Sequence, residues 1–191
     1  MPASSQMSDE TLIPSSWFGP GAPPLEVDFG CHRGTFLLGM AEKYPDANFL
    51  GIEKQTARVE KCLRKIRRHG RTNALAVQGE GAGALARWLP EQSVSIVHVS
   101  FPDPWPKRRH ASRRLLNRDF LEAVARALRA GGVLRLMTDD SAYFAEMKNL
   151  LAGGWEECPW EDGIERPSTA FEKTFLAIGH PPHRCAVRPA R

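Results

Sequence analysis

Strand-like and helix-like runs alternate along most of this chain, and that alternation limits its fold more than any other feature. PPLEVDFG reads as a short strand ending at Gly30, and TFLLGMAEKY follows with apolar residues at helical spacing. NFLGIE reads as a second strand. Residues 54–69 form an amphipathic helix with Val59, Leu63 and Ile66 as its inner stripe and Arg58, Lys61, Lys65 and Arg68 on another face. ALAVQ is a third strand, followed by a short helix near 82–88. SVSIVHVS is a fourth strand. NRDFLEAVARALRAGG is a helix with Asn117 as N-cap and Gly131 or Gly132 as its stop. VLRLMT is a fifth strand and SAYFAEMKNLLAGG another helix, after which WEECPW and FEKTFLAIG read as late, antiparallel strands. This order predicts an α/β fold: a mostly parallel sheet with helices on both faces. Such sheets bind ligands beyond the carboxyl ends of their strands, so the residues that follow each strand are the ones to inspect.

A chain of 191 residues fits one domain. Residues 25–179 are expected to form it, with 1–24 a mobile N-terminal segment and 180–191 a basic, disordered tail. No apolar run approaches the roughly 20 residues that cross a bilayer, and the N-terminus lacks a cationic start followed by an apolar core. Cys31, Cys62, Cys158 and Cys185 are scattered without a Cys-x-x-Cys, which predicts neither disulfides nor structural zinc and fits a reducing cytoplasm. His180 and His183 in HPPH have no further ligand cluster beside them and read as part of a solvated tail rather than a metal site.

The net charge of +4 conceals two basic runs. Residues 54–71 hold eight Lys/Arg and one Glu, and residues 104–118 hold six Lys/Arg and no acid, which leaves the remainder at −9. Either run alone could be a solvated helix face. Two basic runs on an acidic body predict a polyanionic partner.

The strand ends carry the chemistry. After the first strand comes DFGCHRG, residues 28–34. Gly30 permits a tight turn and Gly34 lets the next helix begin close to the strand, a loop whose amides favour a polar or negative ligand. The full dinucleotide fingerprint is absent, because His32 stands where its second glycine belongs. Glu53, after the second strand, is placed to accept hydrogen bonds from both hydroxyls of a ribose. Glu80 in QGEGAG follows the third strand, among glycines that let a flat ring approach the backbone. Either acid alone reads as a surface carboxylate. The two together, beside a glycine turn, read as a nucleoside site.

After the fourth strand comes FPDPWPKRRHASRR, residues 101–114. Prolines 102, 104 and 106 cannot continue a central strand, so the chain is held as a stiff extended rim that fixes Asp103 and Trp105. Lys107 and the arginines behind it stand at the mouth. Trp105 is placed either to stack on a base or to lie under the prolines.

FPDPWPKRRH resembles the signature of the bacterial tRNA (guanine-N7-)-methyltransferases. LGIE at 50–53, RLMTDD at 135–140 and RPSTAFEK at 166–173 are similar to three further motifs of that family, in its order, over roughly residues 25–178. The resemblance implies a class I, S-adenosylmethionine-dependent methyltransferase fold with a seven-stranded sheet. It further implies that Asp28, Gly30, Gly34, Glu53, Glu80 and Asp103 bind S-adenosylmethionine. Lys107, Asp139, Thr169, Phe171 and Glu172 would contact the tRNA substrate, and the product would be 7-methylguanosine in the variable loop. Two departures stand out: His32 replaces a glycine of the first loop, and Ala170 occupies a position commonly lysine.

Guanine N7 has an in-plane lone pair and no proton, so its methylation needs alignment rather than a general base. Asp103 is the candidate for tolerating the charge that moves onto the purine. Asp139 and Glu172 compete with it for holding the guanine. Arg58, Lys61, Lys65, Arg68, Arg108, Arg109, Arg113 and Arg114 are the expected RNA-backbone contacts. The expected partner is tRNA, with no membrane and no obligate protein partner, the enzyme being a monomer or homodimer. The rival readings are a divergent methyltransferase with another RNA or small-molecule substrate, a non-catalytic tRNA-binding protein, an amino-group methyltransferase and a nicotinamide dehydrogenase. The amino-group reading lacks the side-chain amide after strand four, and the dehydrogenase reading has only an incomplete glycine fingerprint.

Overall fold

The computed structural model describes residues 13–105 and 108–190. Seven strands form one sheet: β1 (Leu25–Phe29), β2 (Asn48–Glu53), β3 (Ala74–Gln78), β4 (Val94–Ser100), β5 (Leu128–Thr138), β6 (Trp155–Cys158) and β7 (His183–Pro189). Their order is β3-β2-β1-β4-β5-β7-β6. Strands β1 to β5 are parallel, and β7 runs antiparallel to both β5 and β6. The helices are α1 (Thr35–Lys43), α2 (Thr56–Arg68), α3 (Gly81–Trp88), α4 (Arg118–Ala127), α5 (Ser141–Leu151) and α6 (Ala170–Ala177). Among the described residues no helix is long and apolar enough to cross a membrane.

Side chains alternate across a strand, so the register assigns each residue to a face. One face is apolar throughout. Val27, Phe29, Leu50, Ile52, Val97, Val99, Leu134 and Leu136 pack there against Leu85 of α3, Phe120 and Val124 of α4, and Tyr143 and Met147 of α5. The other face divides in two. Under α1 and α2 it is apolar, with Phe49, Ala74 and Ala76 meeting Leu37, Met40, Cys62 and Ile66. Cys62, rather than Leu63, completes the inner stripe of α2 with Val59 and Ile66. Beyond β1 the same face is ionic: Glu26, His98 and Arg135 are all buried.

The segment 159–169 crosses this ionic half in place of a helix. Arg135 donates to the carbonyl of Trp160 at 2.8 Å, and its guanidinium lies 4.0 Å from that indole ring centre. Arg166 holds Asp162 with two hydrogen bonds, at 2.7 and 2.9 Å, and lies 3.9 Å from Glu26. His98 and Glu26 are hydrogen-bonded at 2.7 Å. The far end of the segment is tied to α1, where the Tyr44 hydroxyl donates to the Glu165 carbonyl, Lys43 pairs with Glu165 and Pro167 packs on Gly39.

Several expectations change. FEKTFLAIG is helical rather than a strand: Thr169 and Glu172 form a capping box that starts α6, and Phe171, Phe175 and Ile178 recur at helical spacing. The stretch expected to be a disordered tail, 180–191, contains β7, whose Cys185, Ala186 and Val187 are buried between β5 and β6. Three small apolar residues flanked by arginines and prolines fill this slot because neighbouring strands supply all its ladder partners. The segment expected to be mobile, 1–24, carries a 3-10 turn at Ser15–Trp17 that buries Trp17 in the larger core; residues 1–12 lie outside the described residues. The helix read over 117–132 ends at Ala127, and Gly131, at φ +73°, belongs to the irregular start of β5. Its cap is as expected: the Asn117 side chain accepts from the Phe120 amide at 2.9 Å.

Candidate active site

Because β1 to β5 are parallel, their carboxyl ends share one edge of the sheet. The turn after β1 is the most constrained part of it. Gly30 has φ +84°, and a side chain there would meet nothing within 4 Å, so the turn faces open space. Gly34 has φ +66°, and a Cβ on it would lie 2.1 Å from Cys62 Sγ. Only glycine lets α1 start there and still sit on α2. Between the two, His32 also adopts a left-handed backbone, at φ +52°. Imidazole is among the side chains that tolerate this region best. The His32 amide donates to Glu53 Oε2 at 3.0 Å, which ties the turn to the end of β2.

Glu53 is 4 % exposed, and its other oxygen accepts from the Gln55 amide at 3.0 Å with Arg58 at 3.7 Å. Asp28 is buried in β1 close to Glu53. Burial, reinforced by repulsion from Glu53, raises its carboxyl to about 7. Two carboxylates held this close, beside an open glycine turn, suit a ligand that brings hydroxyl or ammonium donors. Burial, together with Arg58 and Arg33, holds the His32 ring below its ordinary value.

Phe101 begins the loop after β4 with φ +54°, and Trp105 has φ +42°. Arg114 pins this loop: it donates to the carbonyls of Pro104 at 2.7 Å and Trp105 at 3.3 Å, pairs with Glu146 and lies 5.1 Å from the Tyr143 ring centre. Asp103 stands out from the rim, 67 % exposed, with Lys54 Nζ at 3.7 Å. Trp105 is half-buried, with the Arg113 guanidinium 5.2 Å from its ring centre and His110 edge-on. Glu80 is exposed at the N-cap of α3, and Asp139 is exposed just after β5. Asp28, Glu53, Glu80, Asp103 and Asp139 therefore all stand on the same edge.

The remaining expected contacts divide. Lys107 lies outside the described residues, as does the side chain of Arg108. Lys61, Arg68, Arg109 and Arg113 are exposed. Arg58 leans toward Glu53, and Lys65 donates to Thr35 Oγ1 at 3.1 Å. Arg114 is engaged within the protein, where the rim loop and Glu146 take up its guanidinium. Thr169 and Glu172 are likewise engaged within the protein. Thr169 Oγ1 accepts from the Glu172 amide at 3.1 Å, Glu172 Oε2 accepts from the Thr169 amide at 3.2 Å, and Glu172 Oε1 accepts from Arg184 at 2.5 Å. Phe171 is 56 % exposed at the start of α6. Phe101, Phe175, Lys54 and Arg184 did not stand out in the sequence. Lys54 directly follows Glu53 and Phe101 opens the proline run, so position alone pointed to those two; nothing marked Arg184.

Comparison with known proteins matches a putative methyltransferase family over residues 22–185. The chain is 35 % identical over 182 residues to the tRNA (guanine-N(7)-)-methyltransferase of Nocardia farcinica, covering 87 % of this chain and 67 % of that one. It is 34 % identical over 176 residues to the enzyme of the same name from Geobacillus kaustophilus, covering 88 % and 81 %. The crystal structure of the aminoglycoside resistance methyltransferase NpmB1 aligns with a TM-score of 0.59 at 20 % identity, covering 87 % of each chain. This likeness establishes the class I methyltransferase fold.

Proposed function

Since the chain belongs to the tRNA (guanine-N(7)-)-methyltransferase family, we propose that it transfers a methyl group from S-adenosylmethionine to N7 of a guanine in the variable loop of tRNA. The observation that carries this reading is the acidic edge of the sheet, where a buried Asp28–Glu53 pair and an exposed Asp103 stand at the ends of β1, β2 and β4. The departure at His32 does not weaken it, because His32 takes up the left-handed backbone that the missing glycine would otherwise supply.

The residues present fit the cofactor. Gly30 leaves room for a ligand against the backbone, and the Asp28–Glu53 pair supplies acceptors for its ammonium and ribose hydroxyls. When bound, S-adenosylmethionine supplies an electrophilic methyl group. The protein's part is to hold guanine so that N7 lies in line with that methyl, which alone is worth several kcal/mol. No side chain has to remove a proton. Asp103, exposed and 3.7 Å from Lys54, faces the charge that develops on the purine or accepts from its N1–H and amino group. Glu172 is the weaker claimant for guanine because Arg184 compensates its charge and its carboxylate is committed to capping α6. Asp139 remains the other acid at the edge. Lys61, Arg68, Arg109 and Arg113 grip phosphates, so tRNA affinity falls steeply with salt.

The decisive experiment incubates the protein with S-adenosylmethionine and bulk unmodified tRNA, digests the RNA and identifies the nucleosides by mass spectrometry. The expected result is 7-methylguanosine from the wild type and none from Asp103→Ala. Unmethylated tRNA, from protein that still binds S-adenosylhomocysteine, would overturn the substrate and leave the fold standing.

A further inference from the structure

Helix α6 buries none of its residues. Phe171, Leu176 and Ile178 are 56 %, 46 % and 61 % exposed. Such a helix gains little from the apolar burial that stabilises most helices in folded proteins. Its place depends on a few attachments, and two of them lead to the site. At its N-terminus Arg184 of β7 donates to Glu172 at 2.5 Å. Along its side the Phe101 ring stacks on Phe175, with centroids 5.5 Å apart and planes 17° apart, and meets Phe171 at 5.8 Å.

Phe101 is placed for this by an uncommon backbone. Its amide donates to Met137 of β5 at 2.7 Å, and its φ of +54° turns the chain out of β4. A bulky residue in that region is strained, and strain of this kind persists where the surroundings enforce it. Asp103 follows two residues later. One ring therefore joins the rim that carries Asp103 to the helix that carries Phe171.

We infer that Phe101 and Arg184 are positioning residues that hold α6 as one wall of the tRNA cleft, with Phe171 presented to the nucleotide. The inference rests on the tRNA reading above. Neither residue touches the reacting atoms. Each acts through α6, so its loss weakens substrate binding and leaves the transfer step intact.

Three variants test this. Phe101→Gly relieves the left-handed strain while deleting the ring. Arg184→Met removes the tether, and Arg184→Lys retains a cation for Glu172. Steady-state kinetics on tRNA should show KM rising about tenfold in Phe101→Gly and Arg184→Met, with kcat within about twofold of wild type and S-adenosylhomocysteine affinity unchanged. Arg184→Lys should recover most of the loss. Hydrogen exchange of residues 169–179 should be faster in the first two variants while β1 and β4 keep their protection. Unchanged KM, or kcat and KM failing together with global loss of protection, overturns the inference. If the wild type does not methylate tRNA, the functional reading has failed; exchange at 169–179 still tests the anchoring, and faster exchange there without weaker tRNA binding overturns the positioning role.

Discussion

The two halves of one sheet face solve the same problem in opposite ways. Under α1 and α2 the sheet presents Phe49, Ala74 and Ala76 to Leu37, Met40 and Ile66. Under the segment 159–169 it presents Glu26, His98 and Arg135 to Asp162 and Arg166. Apolar burial stabilises at roughly 25 cal/mol per Å² and accepts many arrangements of similar shape. Buried ion pairs contribute little net stability, because desolvation offsets their attraction, but a displaced partner leaves a charge unpaired. The apolar half supplies stability. The ionic half fixes where an irregular segment lies. That segment leads directly into the capping box of α6, so the half that gains least in stability is the one that sets the geometry of the cleft.

A single truncation does most damage in the apolar half. Met40→Ala, at a fully buried position, should cost about 4 kcal/mol by the combined loss of transfer energy and creation of a cavity, read from the urea midpoint. In the ionic half His98→Leu should cost about 2 kcal/mol, since Glu26 loses its hydrogen-bonded partner and keeps Arg166 at 3.9 Å. Adding Glu26→Leu should recover most of that loss, as apolar replacement of a whole buried pair often does. A double variant less stable than the single one would show the ionic half to be a source of stability after all.

Asp28 couples the stability of the sheet to pH. Its folded carboxyl titrates at about 7, against an ordinary 3.8. The folded protein therefore holds a proton that the unfolded chain has released, and stability falls as pH rises between those values, then levels off. Asp28→Asn should flatten that slope and raise stability above pH 7, by on the order of 1 kcal/mol or more, while binding of S-adenosylhomocysteine is lost. Thermal melts across pH 5–8 would test it, and an unchanged slope would exclude Asp28 as its source. A smaller effect is expected of Thr169→Ala, about 1 kcal/mol confined to α6, seen as faster local exchange. The smallest effect on stability belongs to Lys61→Ala and Arg68→Ala, within about 0.5 kcal/mol; each should lower the slope of log affinity for tRNA against log salt by roughly 0.7 to 0.9.

The parallel half of the fold was legible because β1 to β5 each contain a short apolar run, followed in β1, β2, β3 and β5 by glycine or acid, and the topology then places those acids on one edge. The ionic half was not. In LEVDF and SVSIVHVS the alternating Glu26, Asp28 and His98 look like the solvent side of a half-buried strand. What covers them is an irregular segment, which has no periodicity to read. Strand β7 escaped for a related reason, since its three central apolar residues sit among arginine, histidine and proline. The site was partly legible. The strand-end acids are where they were expected. Arg114, Thr169 and Glu172 carry the right chemistry, but intramolecular partners use it, and only three-dimensional proximity reveals those partners.

The position of β7 also has a consequence for the order of assembly. Among the described residues strand β6 hydrogen-bonds only to β7, and β7 lies between it and β5. During synthesis, residues 155–158 leave the ribosome before any strand exists for them to pair with. Until 183–189 follow, β5 is the open margin of a parallel five-stranded sheet, a surface prone to pair with other chains. The nascent protein thus passes through an interval when its first five strands are made but unsealed, and the strand that seals them also delivers the arginine that tethers α6.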